Sequence, residues 1–357
     1  MMGWSWDPSS PFLATASSIC LLVIIYATLC TTLRFRQMRA VADRFDYSTR
    51  ASLSYMTVDD AYQIQKWLGE QEFPKVFSAS IFFALFKTYG IPSISRLLIK
   101  TGHFTYYGDG TKASKRAADT SVLLTNMVIG RPGSRRTVEA VARTNYLHGA
   151  YRKRGHISDD DMLYTLSLFT LEGMRWTDLY EWRQLTPMER CAMATFWKAL
   201  GEDLQISYGQ LPSSQTGWSD GLHWLEELDY WSHQYEAKHM RPDDANACLA
   251  ESTVKLALHN VPNMCKPLAR HFVTLLLGPR LREAMRIPHP PPIYQTAFTP
   301  LISLRKILLR HCFLPRPYFF RHRYIEENPD PLTQRYHVSR WRYHPWYAPL
   351  RTKIVGV

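Results

Sequence analysis

The chain has 357 residues, a formal net charge of +12 at pH 7, 46% hydrophobic residues and 13% aromatic residues. That composition excludes a disordered, collagen-like or coiled-coil chain and supplies enough apolar side chain for a sizeable packed core. Six scattered cysteines, without C-x-x-C or zinc spacing, exclude a disulfide-stapled scaffold and suit a reducing compartment.

The charge is unevenly placed. Residues 305–357 hold eleven Lys/Arg against three acids. A basic tail of this kind faces anionic lipid or nucleic acid, or is simply solvated.

The first element is apolar. Residues 12–33, "FLATASSICLLVIIYATLCTTL", carry no charge. At about 1.5 Å per residue they reach roughly 33 Å, enough to cross a hydrocarbon core. Trp4 and Trp6 precede the run, where interfacial aromatics are expected. A cleaved signal peptide is the competing reading, but that needs a basic n-region and a shorter core, and the flank here has Asp7 and no Lys or Arg. Arg34, Arg36 and Arg39 follow the run directly. By the positive-inside rule the short N-terminus is lumenal and the large domain cytosolic. A retained, single-pass membrane anchor over residues 1–40 is the expectation.

From residue 41 the pattern is helical and strand alternation is scarce. Thr57-x-x-Asp60 opens "VDDAYQIQKWLGEQEF". A helix follows over roughly 114–129. "RPGS" at 131–134 turns the chain into a second helix that contains "RTNYLHGAYRKRG". Ser158-x-x-Asp161 starts the next helix. Thr186-Pro187-Met188-Glu189 starts another, with an N-cap Thr, Pro at N1 and Glu at N3. "QLPSSQTG" at 210–217 breaks the chain before a Trp-rich amphipathic stretch. "IPHPPP" at 287–292 closes the helical body, one more helix is expected near 299–311, and a basic, aromatic tail over 311–357 ("PYFFRHRY", "YHPWYAPL") is expected to pack on the domain. The expected fold is therefore all-α: one N-terminal transmembrane helix and a single helical domain over 41–310.

Several chemistries lack their motifs. There is no G-x-G-x-x-G, Walker A loop, G-x-S-x-G elbow or H-E-x-x-H, and "GDG" at 108–110 reads as a turn. A di-iron bundle needs two E-x-x-H pairs. One occurs, Glu236-x-x-His239, and a solvent-facing helix pair is the simpler reading of it. His156 sits in a turn beside the acidic cap, His223, His233 and His239 in a Trp-rich amphipathic stretch and His289 in a proline run, so none of them reads as a ligand. "EWR" at 181–183 reads as a structural salt link.

His148 is different. Val138, Val141, Asn145, His148 and Tyr151 recur at intervals of three and four, which places them on one helix face. On the preceding helix Arg116 and Thr120 share a face with Leu123, Leu124 and Met127. The turn between the helices folds the two faces together. An imidazole there is either a satisfied core histidine or a ligand. A neutral imidazole ligates iron, and a buried guanidinium neutralises a carboxylate with two hydrogen bonds.

At this point the sequence resembles a known family. The blocks "GHISDDDMLYTL" and "YEWRQLTPMER" are similar to those of the fungal MpaB-type ER-bound oxygenases, distant relatives of the bacterial latex-clearing rubber oxygenases. The similarity runs over nearly the whole chain. It implies a globin-like core holding haem b, with dioxygen as co-substrate. It places His148 at the proximal iron ligand position. It aligns Arg116 and Thr120 in "RAADT" with an Arg-x-x-Lys-Thr element, where Asp119 stands in place of the lysine. The implied activity is oxidative cleavage of a C=C bond in the prenyl tail of a lipophilic meroterpenoid-type metabolite. The implied location is the endoplasmic reticulum membrane, beside other membrane-bound enzymes of the pathway. Two alternatives stand: a haem monooxygenase or peroxygenase that leaves the chain intact, and a non-enzymatic, membrane-anchored basic scaffold. No nucleic-acid module is recognisable, so a nucleic-acid partner is not expected.

Overall fold

A computed structural model describes residues 11–102, 111–326 and 328–332. Trp4, Trp6, the "GDG" turn and "YHPWYAPL" lie outside them. The described residues form fourteen α-helices and no strand. In chain order these are α1 (Pro11–Phe45), α2 (Arg50–Leu53), α3 (Val58–Trp67), α4 (Pro74–Thr88), α5 (Pro92–Lys100), α6 (Thr111–Ile129) and α7 (Arg135–Lys153). They continue with α8 (Asp159–Tyr180), α9 (Pro187–Asp203), α10 (Gly221–His239), α11 (Asp244–Ala257), α12 (Lys266–Leu276), α13 (Pro279–Ala284) and α14 (Pro292–His311). A π-helical turn, Leu68–Glu72, joins α3 to α4.

The helix starts follow the cap chemistry read from the sequence. Thr57, Ser158 and Thr186 each accept a hydrogen bond from the backbone N–H three residues on. At Thr186 the box is complete, because Glu189 also accepts from the Thr186 N–H at 2.7 Å. Each satisfied donor is one that a helix start otherwise leaves open.

α8 is the central helix, with buried residues on every side from Asp161 to Thr177. α4 and α9 pack against it, α3 and α10 pack against α9, and α6 pairs with α7. The core is aromatic and Met-rich, with Trp197, Trp224, Tyr164 and Phe73 almost fully enclosed. α4 and α5 meet at a bend of 90°. That bend carries α5 across the end of α8, where Ser93 donates to Asp161 at 2.8 Å.

α1 is a single helix of 35 residues. Its apolar residues Ile19 to Ile25 are exposed, whereas Phe35, Val41, Ala42 and Phe45 pack against the core. The helix therefore runs unbroken through residue 40, where the sequence suggested a boundary.

Arg34 departs from the expected role of an exposed flanking cation. It is buried, its Nε donates to the Phe313 carbonyl at 2.8 Å, and its guanidinium lies over Trp182. The expected helix near 299–311 is longer than the pattern indicated and starts at Pro292. Proline at the first helical position needs no N–H partner, so the proline run opens the helix instead of preceding it. Pro300 is accommodated inside it.

Of the tail, His322 and Tyr324 dock on the domain, whereas Phe313, Leu314 and the Tyr318, Phe319 and Phe320 of "PYFFRHRY", expected to pack, are exposed. The His322 N–H donates to the Glu70 carbonyl at 2.7 Å, and Tyr324 Oη donates to the Pro74 carbonyl at 2.8 Å.

Candidate active site

α6 and α7 form a tight antiparallel pair. Gly133 takes a φ of +72° in the "RPGS" turn, and Ser134 caps α7 by accepting from the Thr137 N–H. Gly130 sits where a Cβ would lie 2.2 Å from the Asn126 carbonyl and 2.4 Å from Thr137 Oγ1. Only glycine allows that approach. Thr144 Oγ1 then reaches Met127 Sδ at 3.7 Å further along the pair.

Between α5, α6, α7 and α8 lies a cavity of about 830 Å³. Its walls are mostly aliphatic and aromatic: Leu97 and Leu98 from α5, Leu123 and Leu124 from α6, Leu147 from α7, Phe169 from α8. This is the size and character of a small-molecule or cofactor site.

The three polar residues singled out in the sequence, Arg116, Thr120 and His148, all line this cavity. His148 Nδ1 is buried and has no hydrogen-bond partner. Arg116 and Thr120 likewise make no side-chain hydrogen bond or ion pair among the described residues. A buried imidazole nitrogen left unpaired on a greasy wall is costly unless a ligand engages it; the half-buried Arg116 guanidinium and Thr120 hydroxyl face the same space. Burial holds the His148 imidazole below its usual pKa, and the positive Arg116 and Arg152 add to that. It is therefore a neutral lone-pair donor near pH 7. Asp119 also lines the cavity, and Lys115 one turn away pairs with it at 2.6 Å.

The inner face of α7 differs from the expected one. Val138 is 53% exposed, and Asn145 points outward to donate to the Asp203 carbonyl at 2.9 Å. The face that lines the cavity is Arg143, Thr144, Leu147 and His148, with Ala140 and Val141 buried one turn before it. The three-and-four spacing suits either set. Packing on α6 selects the second.

Two features escaped the sequence. Asp161 reads there only as part of a helix start, yet it lines the cavity and its carboxylate also accepts from Tyr235 Oη at 2.7 Å. It ties α5, α8 and α10 together behind the wall.

The second is Glu236, expected to face solvent. It is buried instead and pairs with Lys87 at 2.7 Å, while Glu172 holds the same ammonium at 3.0 Å. Its partner in the E-x-x-H pair, His239, stacks on Tyr235. No group of three or more His, Cys, Asp or Glu suited to a bare metal ion occurs among the described residues. The "EWR" stretch is a salt link: Arg183 grips Glu189 with two bonds of 2.7 and 2.8 Å, and Trp182 Nε1 donates to Glu72 at 3.1 Å.

Comparison with known proteins fits this architecture. Residues 100–304 match the model of the catalytic domain described as "ER-bound oxygenase mpaB/B'/Rubber oxygenase". The chain is 41% identical over 325 residues to the ER-bound oxygenase mpaB' of Penicillium brevicompactum, covering 91% of this chain and 76% of that one. It is 44% identical over 264 residues to the ER-bound oxygenase mpaB of Penicillium roqueforti (strain FM164), covering 74% of this chain and 88% of that one. The chain belongs to this oxygenase family. As an oxygenase of that family it uses dioxygen. The matched region begins at the end of α5 and contains α6, α7 and α8, hence Arg116, Thr120 and His148.

Proposed function

We propose that this oxygenase is haem-dependent, and that His148 would hold the iron of a b-type haem in the 830 Å³ cavity of a globin-like core. The observation that carries the reading is the unpaired polar triad on an apolar wall: the buried His148 nitrogen, the Arg116 guanidinium and the Thr120 hydroxyl. Its chemistry suits haem. The imidazole supplies a neutral nitrogen, the guanidinium a cation for a propionate, and the hydroxyl a hydrogen-bond donor beside it. Haem, when bound, supplies the one-electron chemistry that a reaction between an alkene and dioxygen requires.

The chain's own residues do the rest. Leu97, Leu98, Leu123 and Phe169 give an isoprenoid chain an apolar bed and keep water from it. Asp161 Oδ1 accepts from both Ser93 and Tyr235, which fixes its carboxylate in the wall. The proposed reaction is scission of a C=C bond in the prenyl side chain of a lipophilic meroterpenoid-type substrate, leaving carbonyl ends.

The proposed setting is the endoplasmic reticulum membrane. α1 crosses it once, the catalytic domain faces the cytosol, and other membrane-bound enzymes of the pathway lie alongside. The exposed apolar residues of α1 and the naming of the relatives as ER-bound support this setting.

The test is an absorption spectrum of the purified chain beside His148→Ala, with circular dichroism to verify the fold. We expect a Soret band in the wild type and its loss in the variant. A wild type that takes up no haem, or a folded variant with unchanged haem content, sinks the assignment. Product masses then separate the chemistries: a shortened chain bearing a carbonyl supports scission, and simple gain of one oxygen supports hydroxylation.

A further inference from the structure

α14 is an inverted surface helix. On a water-soluble domain the charged face of an outer helix points to solvent. Here two of its three Lys/Arg turn inward: Arg305 bonds to the Tyr180 carbonyl and to Glu181, and Lys306 donates to the Asp178 carbonyl at 3.2 Å. The opposite face, an arc of about 120° by helical periodicity, carries Ile293, Leu301, Leu304, Ile307 and Leu308, all exposed. The surface continues past the helix through Phe313 and Leu314 to Tyr318, Phe319 and Phe320, also exposed. Residues 292–320 contain no acid. An apolar patch of this extent on a chain surface marks an interaction face.

Its position identifies the partner. Tyr26 Oη donates to the Cys312 carbonyl at 3.2 Å, Thr31 Oγ1 lies 2.9 Å from His311 Nδ1, and Arg34 holds Phe313. The end of α14 is thus fastened to the last turns of the apolar run on α1. Tyr26 lies seven residues before Leu33, so Cys312 sits about 10 Å inside the end of that run. Amphipathic segments that lie in a membrane surface bury their apolar face by about 5–10 Å. The depths agree. Arg310 precedes the aromatic segment and Arg316 lies within it, both exposed where anionic headgroups would meet them.

We propose that α14 and residues 313–320 form a second, non-spanning membrane contact, which lies in the headgroup and upper acyl region of the bilayer that α1 crosses. This rests on the reading of α1 as a span.

The test uses the full chain in phosphatidylcholine/phosphatidylserine vesicles, with Cys20, Cys265 and Cys312 changed to Ser. An environment-sensitive fluorophore is placed on one introduced cysteine at a time: Ile307→Cys or Phe319→Cys on the face, Ile24→Cys in α1, and Tyr230→Cys as an exposed control away from it. Nitroxide-labelled phospholipid is then added. We expect blue-shifted emission and loss of fluorescence at Ile307, Phe319 and Ile24, and neither at Tyr230. Quenching at Ile24 alone overturns the second contact while the anchor stands. A blue shift at Ile307 and Phe319 without quenching means that protein, such as a second copy, covers the face, and it too overturns the proposal. No quenching at Ile24 overturns the anchor and, with it, this proposal, which rests on that span.

Discussion

His148 illustrates how little spacing decides and how much enclosure does. An imidazole on a helix face has two ordinary fates, a hydrogen bond or a ligand. The structure leaves its Nδ1 buried without a hydrogen-bond partner. Its pKa in the folded chain is below the unfolded value of about 6.5. Between those two values the unfolded chain binds the extra proton, so stability falls as pH falls through 6.5 while the folded imidazole stays neutral. We therefore expect haem retention to stay flat from pH 8 to below 6.5 and to drop only at lower pH, read as Soret absorbance after rapid desalting. Arg116→Met removes one of the charges that depress the imidazole, so it should move that drop to higher pH. An unmoved midpoint would mean that Arg116 does not act on His148. That Arg116, Thr120 and His148 line one cavity was legible in the sequence, because the turn between the two helices folds their faces together; spacing alone left His148 open between core and ligand, and the roles given to the three rest on the family resemblance and belong to the proposal. Asn145 and Val138 were misplaced because a period of three and four cannot separate adjacent helix faces; only the partner helix does.

At the scale of elements, the start of α9 joins local and long-range structure. Glu189 closes the capping box with Thr186 and is the bidentate partner of Arg183, with 1% and 7% of the two side chains exposed. Thr186→Ala should cost about 1 kcal/mol, the usual worth of an N-cap. Glu189→Ala strands a buried guanidinium and should cost about 3–5 kcal/mol. Urea denaturation distinguishes them; equal losses would mean that Glu189 matters only as a cap. Beside it, burial pushes Glu72 up to about 7, against the pull of Arg183 and Arg34. Its unfolded value is about 4.3, so the folded chain holds the extra proton between the two, and this stabilisation fades as pH rises towards 7. The melting-temperature gap between wild type and Glu72→Gln should accordingly shrink from pH 5 to pH 8; a gap that widens contradicts the shift. Helix starts were legible because caps are written locally. The interior of Glu236 and the reach of Asp161 were not, since both depend on Lys87 and Tyr235, far away in sequence. α14 was half legible: its proline run was read as an ending when it is a beginning.

The whole molecule is governed by one continuous helix. α1 passes from its exposed apolar part into the core at Phe35, Val41 and Phe45 without a break. No linker separates the exposed apolar part of α1 from the part packed on the core. Inserting a flexible Gly/Ser segment between Leu33 and Arg34 should leave membrane association intact in carbonate extraction. It should lower turnover of a bilayer-dissolved substrate and spare that of a short, detergent-dispersed analogue; equal effects on both would speak against a role for rigidity. With α1 in the bilayer, as proposed, a domain carried on such a mast could not tumble freely: every copy would present its cavity at a similar height, and the search for a membrane-dissolved substrate would become two-dimensional. An amphiphile in the leaflet is itself aligned, polar end to water and tail to lipid. Which end of the molecule meets the cavity first is then settled by two fixed orientations before any contact is made.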